Sequence, residues 1–386
     1  MMKIQTSQAV NSIQEYYFSK KLNEINEMRK QGVNVINLGI GSPDLPPPQQ
    51  VMKTLGSLAL KNDVHSYQTY KGIFELREAF SNWYKKYFKV KINPENEVLP
   101  LMGSKIGIMH VSLVFLNRGD EVLIPNPGYP AYASVAKIIG AKPISYNLKE
   151  ENNWLPKLQE LEKRDLSRVK IMWVNYPNMP TGQKATKVFF EELVEFGIKN
   201  KILIVNDNPY SFILNEDYLS ILSIENAFEV AIELNSLSKS HNIAGWRIGA
   251  VFGNNNNISA IRKIQSNMVS GMFLPIQKAA IEALKVEDNW YKELNDIYKE
   301  RRTIVWNILE QLKCKFDKSA GGMFVWAKIS DNYKDSFELS DFLLAKHKIF
   351  ITPGGIFGSE GNKYIRISLC NKKSIFKDVL NKLKNR

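Results

Sequence analysis

The sequence predicts an α/β protein, with a mostly parallel sheet flanked by helices and a second, smaller, discontinuous α+β part. Three observations lead there. Short apolar runs recur between residues 98 and 252, with helical stretches between most of them. Continuous Val/Ile/Leu runs separated by helices mark strands that crossover helices bury on both faces. After residue 285 the alternation stops, and a long charged helix precedes isolated strands. Finally, the run Pro46-Pro47-Pro48 interrupts any regular element and separates the N-terminal stretch from the alternating part. The expected division is therefore residues 49–285 for a large domain, and 1–48 with 286–386 for a small one.

Residues 13–30 read as an amphipathic helix, with Ile13, Tyr17, Leu22, Ile25 and Met28 near helical spacing and Gly32 as its stop. Residues 33–38 form a short strand that runs into Gly39-Ile40-Gly41-Ser42-Pro43-Asp44. The buried-strand runs are 98–102, 121–124, 170–174, 201–205, 231–234 and 248–252, with helices such as 106–116 and 188–198 among them. A helix over about 288–312 follows, then strands near 323–329 and 364–367. On the basic terminal helix Ile375, Phe376, Val379, Leu380 and Leu383 keep helical spacing.

A hydrophobic share of 44% and a charged share of 24% over 386 residues are those of an ordinary globular chain, long enough for two domains. No stretch reaches the apolar length of a membrane span. The N-terminal stretch lacks an apolar core and a small-residue cleavage site, and two distant cysteines, Cys314 and Cys370, suit a reducing compartment. A cytoplasmic protein is expected. The four histidines are scattered, so no metal site is expected. A net charge of +13 raises nucleic acid as a partner, yet the basic residues are interleaved with acidic ones, as in KKLNEINEMRK and YKELNDIYKERR. Neither nucleic acid nor membrane is therefore expected as a partner. A basic field that attracts anionic small molecules is the milder use.

The residues with chemical promise fall just past the apolar runs, where ligands sit in parallel sheets. Lys239 lies among Ser236, Ser238 and Ser240, with Arg247 eight residues on. Asp207 follows the run 201–205 and is trailed by Tyr210. Gly103-Ser104-Lys105 follows the run 98–102 and opens a helix, with free amides and a positive dipole end. Pro127-Gly128-Tyr129-Pro130 follows 121–124. Each has an ordinary reading: a solvated lysine, a turn aspartate, a helix cap, a packed tyrosine. Together they match the needs of pyridoxal phosphate. That cofactor takes an amine for its aldehyde, a carboxylate for its ring nitrogen, donors for its phenolic oxygen, and amides, hydroxyls and a cation for its phosphate.

In this order the pieces resemble the fold-type I pyridoxal-phosphate enzymes, and more narrowly the class I/II aminotransferases. The similarity covers nearly the whole chain, from NLGIGSPD at 37–44, through HSYQTYKG at 65–72 and ELREA at 75–79, to YIRIS at 364–368. The resemblance implies a seven-stranded, mostly parallel sheet. It also implies ping-pong transamination between an L-amino acid and a 2-oxo acid, with 2-oxoglutarate as the expected acceptor. Lys239 would be the Schiff-base lysine and proton shuttle, Asp207 the partner of the ring nitrogen, and Tyr210 the donor to the phenolic oxygen. Gly103, Ser104, Lys105, Ser236, Ser238 and Arg247 would hold the phosphate, with Tyr129 stacked on the ring. Tyr67 matches a tyrosine that reaches the phosphate of the neighbouring subunit, which implies a homodimer. Arg366 would clamp the substrate carboxylate, beneath the backbone of Ile40 and Gly41.

The chain departs from the family pattern at Met179, where an asparagine usually precedes Pro-Thr-Gly. Asn175, a backbone amide or a water are alternative replacements for that donor. Asn126–Pro127 and Met179–Pro180 are expected to be cis. Tyr16, Tyr17 and Phe18, with residues 266–273, are candidates for the side-chain pocket and lean toward apolar or aromatic donors. GSKIG at 103–107 is also similar to the diaminopimelate aminotransferase branch, and a C–S β-lyase of the same fold is a further alternative.

Overall fold

The computed structural model describes residues 4–384; Met1 to Lys3 and the last two residues of the basic terminal run lie outside the described residues. The strands are, in chain order, β1 (Ile36–Asn37), β2 (Val98–Leu101), β3 (Glu121–Asn126), β4 (Lys142–Asn147), β5 (Val169–Val174), β6 (Leu203–Asp207), β7 (Ala231–Ser236), β8 (Gly249–Phe252), β9 (Lys315–Phe316), β10 (Phe324–Lys328), β11 (Ile349–Phe350), β12 (Thr352–Pro353) and β13 (Tyr364–Ser368). Seven of them form one sheet in the order β2-β8-β7-β6-β5-β3-β4. Only β8 runs antiparallel to its neighbours in that sheet. The α/β class and the seven-stranded, mostly parallel sheet are as expected.

The apolar runs become strands of this sheet because both faces are covered. Ile171 and Trp173 of β5 pack into one layer with Val205 and Ile232, whereas Met172 and Val174 pack into the other with Ile204. Burying each such side chain stabilises the fold by roughly 1.5–3 kcal/mol. The strand β4 offers no apolar run to detect: it lies at the edge opposite β2, and KPISYN is mostly exposed or half-buried.

A second, four-stranded antiparallel sheet, β12-β13-β10-β9, and the parallel pair β1-β11 pack with the long helix Asp288–Gln311 and the terminal helix Lys373–Lys384. The N-terminal segment joins this layer, since the amide of Leu38 donates to the Phe350 carbonyl and that of Ser368 to the Leu38 carbonyl. The expected helix over 13–30 begins instead at Tyr17 and ends at Lys30, after a short helix Gln8–Asn11. The Pro43-Asp44 corner is tied down by Arg301, whose guanidinium donates to both Asp44 oxygens at 2.7 and 2.9 Å. No helix among the described residues is long and apolar enough to cross a membrane.

Candidate active site

The parallel strands β3, β5, β6 and β7 aim their carboxyl ends at one edge of the large sheet, together with the end of β2 and the start of the reversed β8. A cavity of about 320 Å³ opens there. From the sheet side its wall takes Ser104 and Lys105 after β2, Tyr129 after β3, Asp207 and Tyr210 at β6, and Ser236, Ser238, Lys239 and Arg247 between β7 and β8. From the opposite side it takes Ile40, Gly41 and, on β13, Arg366. Residues distant in the chain meet because the strand order brings their loops together.

Three enclosed charged groups in this cavity lack a countercharge among the described residues. Asp207 is 5% exposed, accepts from the Tyr132 hydroxyl at 2.9 Å through Oδ2, and has no partner on Oδ1. Burial pushes its carboxyl up to about 6, and the Tyr132 hydrogen bond opposes that rise. A comparison within the sheet shows how unusual this is. Glu233, equally buried on β7, accepts from Tyr84, Asn206 and the Ile221 amide. Glu233 is solvated by protein; Asp207 is left half-solvated.

Lys239 donates only to the Gly41 carbonyl, at 2.6 Å, and burial holds its ammonium below the usual lysine range. Arg366 is 4% exposed; its Nη2 donates to the Gly39 carbonyl at 2.8 Å, its Nη1 to the thioether of Met179 at 3.1 Å, and its Nε has no partner. Burial lowers its pKa to about 10. The buried Arg301, by contrast, has its carboxylate, Asp44. A buried cation resting on a thioether and a carbonyl is a waiting anion site.

A pocket for a small dianion lies beside them. The amides of Ser104 and Lys105 begin the helix Ser104–Phe115. Gly103 has φ +83°, and a Cβ there would stand 2.3 Å from Arg247 Nη2, so only glycine lets the guanidinium sit against this turn. Ser236 Oγ accepts from the Ser238 amide at 3.2 Å and donates to Ser238 Oγ at 2.9 Å, which fixes both hydroxyls at the wall. Gly41 is likewise forced: a Cβ there would meet the Phe324 ring at 2.2 Å.

The sequence reading missed several members of the wall. Tyr132, five residues after Pro127 on the helix Ala131–Ile139, stacks on Trp173 at 4.9 Å and reaches Asp207. Its partner is 75 residues away, so no local signal announces it. Phe324 and Phe357 also line the cavity, with Tyr16, Phe18 and Met179. Residues 266–273 do not line it; Phe273 stacks on His65 and Gly271 packs on the carbonyls of Gln68 and Thr69. Tyr67, in the same place, is 93% exposed and away from its own chain's cavity. At the Met179 turn, Asn175 Oδ1 accepts from the Met179 amide at 2.7 Å and its Nδ2 donates to the Asp207 carbonyl. Asn178 turns inward and accepts from Thr181. Asn126–Pro127, Tyr176–Pro177 and Met179–Pro180 are cis; the second was not expected.

The family described as aminotransferase class I and II matches residues 33–378. The chain belongs to this family. It is a pyridoxal-phosphate-dependent aminotransferase, and it takes an amino acid and an oxo acid as substrates. It is 38% identical to an LL-diaminopimelate aminotransferase of Natranaerobius thermophilus, over 98% of this chain and 99% of that one. It is 35% identical to transaminase BacF of Bacillus subtilis, over 99% and 96% of the two chains. The solved structure of substrate-bound BacF superposes with a TM-score of 0.94 over 100% and 98% of the chains, at 34% identity. An aminotransferase from Staphylococcus aureus gives 0.89 over 98% of each chain, at 31% identity. The cavity of this aminotransferase fits its cofactor: the orphaned Asp207 oxygen suits a protonated ring nitrogen, and the amide, hydroxyl and guanidinium cup suits a phosphate.

Proposed function

We propose that this aminotransferase works as a cytoplasmic homodimer, moving an amino group by a ping-pong route from an L-amino acid to a 2-oxo acid, with 2-oxoglutarate as acceptor. What carries the reading is the convergence of Asp207, Lys239 and Arg366, three enclosed charged groups without countercharges, on one cavity. Residues 49–285 act in it as the cofactor-binding domain, with 1–48 and 286–386 as the smaller domain. Cys314 and Cys370 are free and buried, which supports a reducing compartment.

When bound, pyridoxal phosphate supplies an electron-accepting ring that makes the substrate Cα proton removable. The protein's own residues do the rest. Asp207 would hold negative charge at the ring nitrogen, Tyr210 would donate to the phenolic oxygen, and Tyr129 would lie against the ring. Gly103, Ser104, Lys105, Ser236, Ser238 and Arg247 bind the phosphate. Arg366 would exchange its weak contacts with Met179 and Gly39 for a substrate carboxylate, and so would fix the direction of the Cα–H bond beneath Ile40 and Gly41. Lys239, its basicity lowered by burial, would as a neutral amine take this proton and carry it to the carbon on the far side of the amino nitrogen. Incubation of donor with 2-oxoglutarate is expected to yield glutamate and the donor's oxo acid in equal amounts. Ammonia and pyruvate in their place would establish a C–S lyase instead.

A second reading has LL-diaminopimelate as the donor, supported by the 38% identity to an enzyme of that name. Lys105, exposed at the rim, would then meet the distal carboxylate.

Two predictions concern the surroundings. Tyr132→Phe removes the hydrogen bond that keeps Asp207 ionised, so the acid limb of cofactor binding moves to higher pH and affinity at pH 7 falls about tenfold. Titration of cofactor affinity against pH checks this; an unmoved limb refutes it. Sedimentation is expected to give a particle of twice the 44.2 kDa chain mass. Tyr67→Phe in that dimer weakens cofactor affinity by about ten- to a hundredfold. A fully active monomer contradicts both statements.

A further inference from the structure

We infer that the amino donor carries an aromatic or large apolar side chain, seated in a subsite built by Tyr16 and Phe18 with Phe324, Phe357 and Met179. The inference deepens the proposed function and rests on its assignment of Arg366 to the substrate carboxylate.

In an α-amino acid the side chain leaves the carbon next to the carboxylate. A carboxylate held by Arg366 therefore places the side chain among the groups that surround the guanidinium. Those groups are rings: Phe324 at 3.9 Å, Phe357 at 4.8 Å and Phe18 at 5.6 Å from Arg366 Cζ. The thioether of Met179 completes the set, where an asparagine would have offered an amide. The rings are held in place from several directions. Phe324 lies edge-on to Tyr210 at 6.0 Å, and Phe18 packs on Tyr16 at 5.5 Å. The Phe357 carbonyl accepts from the Gly128 amide at 2.8 Å, which ties that loop to the sheet edge beside Tyr129.

The charges of the wall point the same way. Asp207, Lys239, Arg247 and Arg366 are engaged by cofactor and carboxylate in the proposed reaction. Lys105 alone is left, and its ammonium lies over the Tyr16 ring at 5.4 Å, on the solvent side. A second carboxylate or ammonium inside the subsite would shed its hydration without a partner, at a cost of several kcal/mol. An aromatic side chain gains by burial there, and again by edge-to-face contact with the rings. Tyr16 and Phe18 come from the start of the helix Tyr17–Lys30, so the N-terminal segment supplies one wall of the subsite.

The test uses the cofactor-loaded enzyme with phenylalanine, alanine, glutamate and LL-diaminopimelate, each followed by the optical change as the cofactor takes up the amino group. The kcat/KM for phenylalanine is expected to exceed that for each of the others by at least about tenfold. In Tyr16→Ala and Phe18→Ala the ratio of phenylalanine to alanine is expected to fall at least about tenfold. A preference for LL-diaminopimelate or glutamate overturns the inference and leaves the aminotransferase reading standing. So does a ratio that stays fixed while both rates fall, which marks a structural role. Conversion by none of the four amino acids overturns that reading as well.

Discussion

Replacing Lys239 with alanine is expected to lower turnover by at least about 10⁴-fold, the upper range for loss of a positioned proton-transfer group. The side chain is engaged by a single carbonyl, that of Gly41, so its removal frees one acceptor and disturbs no network. The variant should fold, bind its cofactor through Asp207 and the phosphate cup, and fail at proton transfer. Added methylamine or ammonia should restore part of the rate, because a small free amine can enter the space left by the side chain. The unaltered lysine is well suited to the task. Burial lowers its pKa, so more of it is neutral at a given pH than in water, and only the neutral amine can accept the Cα proton. Retention of a substantial fraction of the rate without added amine contradicts the assignment.

Asp207→Asn is expected to act in opposite directions on stability and on function. The carboxyl titrates near 6 in the folded apo-protein, against its ordinary value of 3.8 in the unfolded chain. Between those values the native protein holds a proton that the unfolded chain has lost. The apo-protein therefore loses stability as pH rises through this window, and above it carries a cost of about 3 kcal/mol for the buried charge. Asparagine removes that cost. The melting temperature of the apo-variant should rise by a few degrees at pH 8 and hardly change at pH 4. Cofactor affinity should nonetheless fall by about 10²–10³-fold, the effect of removing one member of a buried ion pair, with turnover falling alongside. An aspartate kept only for its turn would give the reverse: a less stable apo-protein with unaltered cofactor affinity.

The large sheet was legible because six of its strands are continuous apolar runs, and a strand buried on both faces cannot be otherwise. β4 was not, since of its residues only Tyr146 is buried, and its Lys142 and Asn147 face water. Of the cavity, the residues that follow strand ends were legible, because the carboxyl edge of a parallel sheet collects its loops. The contacts made across the chain were not. Tyr132 meets Asp207 from a helix, and Met179 meets Arg366 across 187 positions, so neither pairing leaves a local pattern. The missing asparagine reads differently with the fold in view. Asn175 is engaged by the turn and by the Asp207 carbonyl, and the Met179 thioether instead accepts from Arg366. In the proposed reaction the departure therefore bears on the substrate side of the cavity. Tyr67 stands 93% exposed beside the His65–Phe273 stack, away from its own chain's cavity, so its place in the proposed dimer has no signature within one chain.

The most direct test of the central claim is to load the protein with pyridoxal phosphate, fix the bound cofactor with borohydride, and map the labelled peptide by mass spectrometry. The label is expected on Lys239, at one per chain, and is expected to be lost on prior addition of an amino-acid donor. A label on any other lysine, or no fixed label at all, would contradict it.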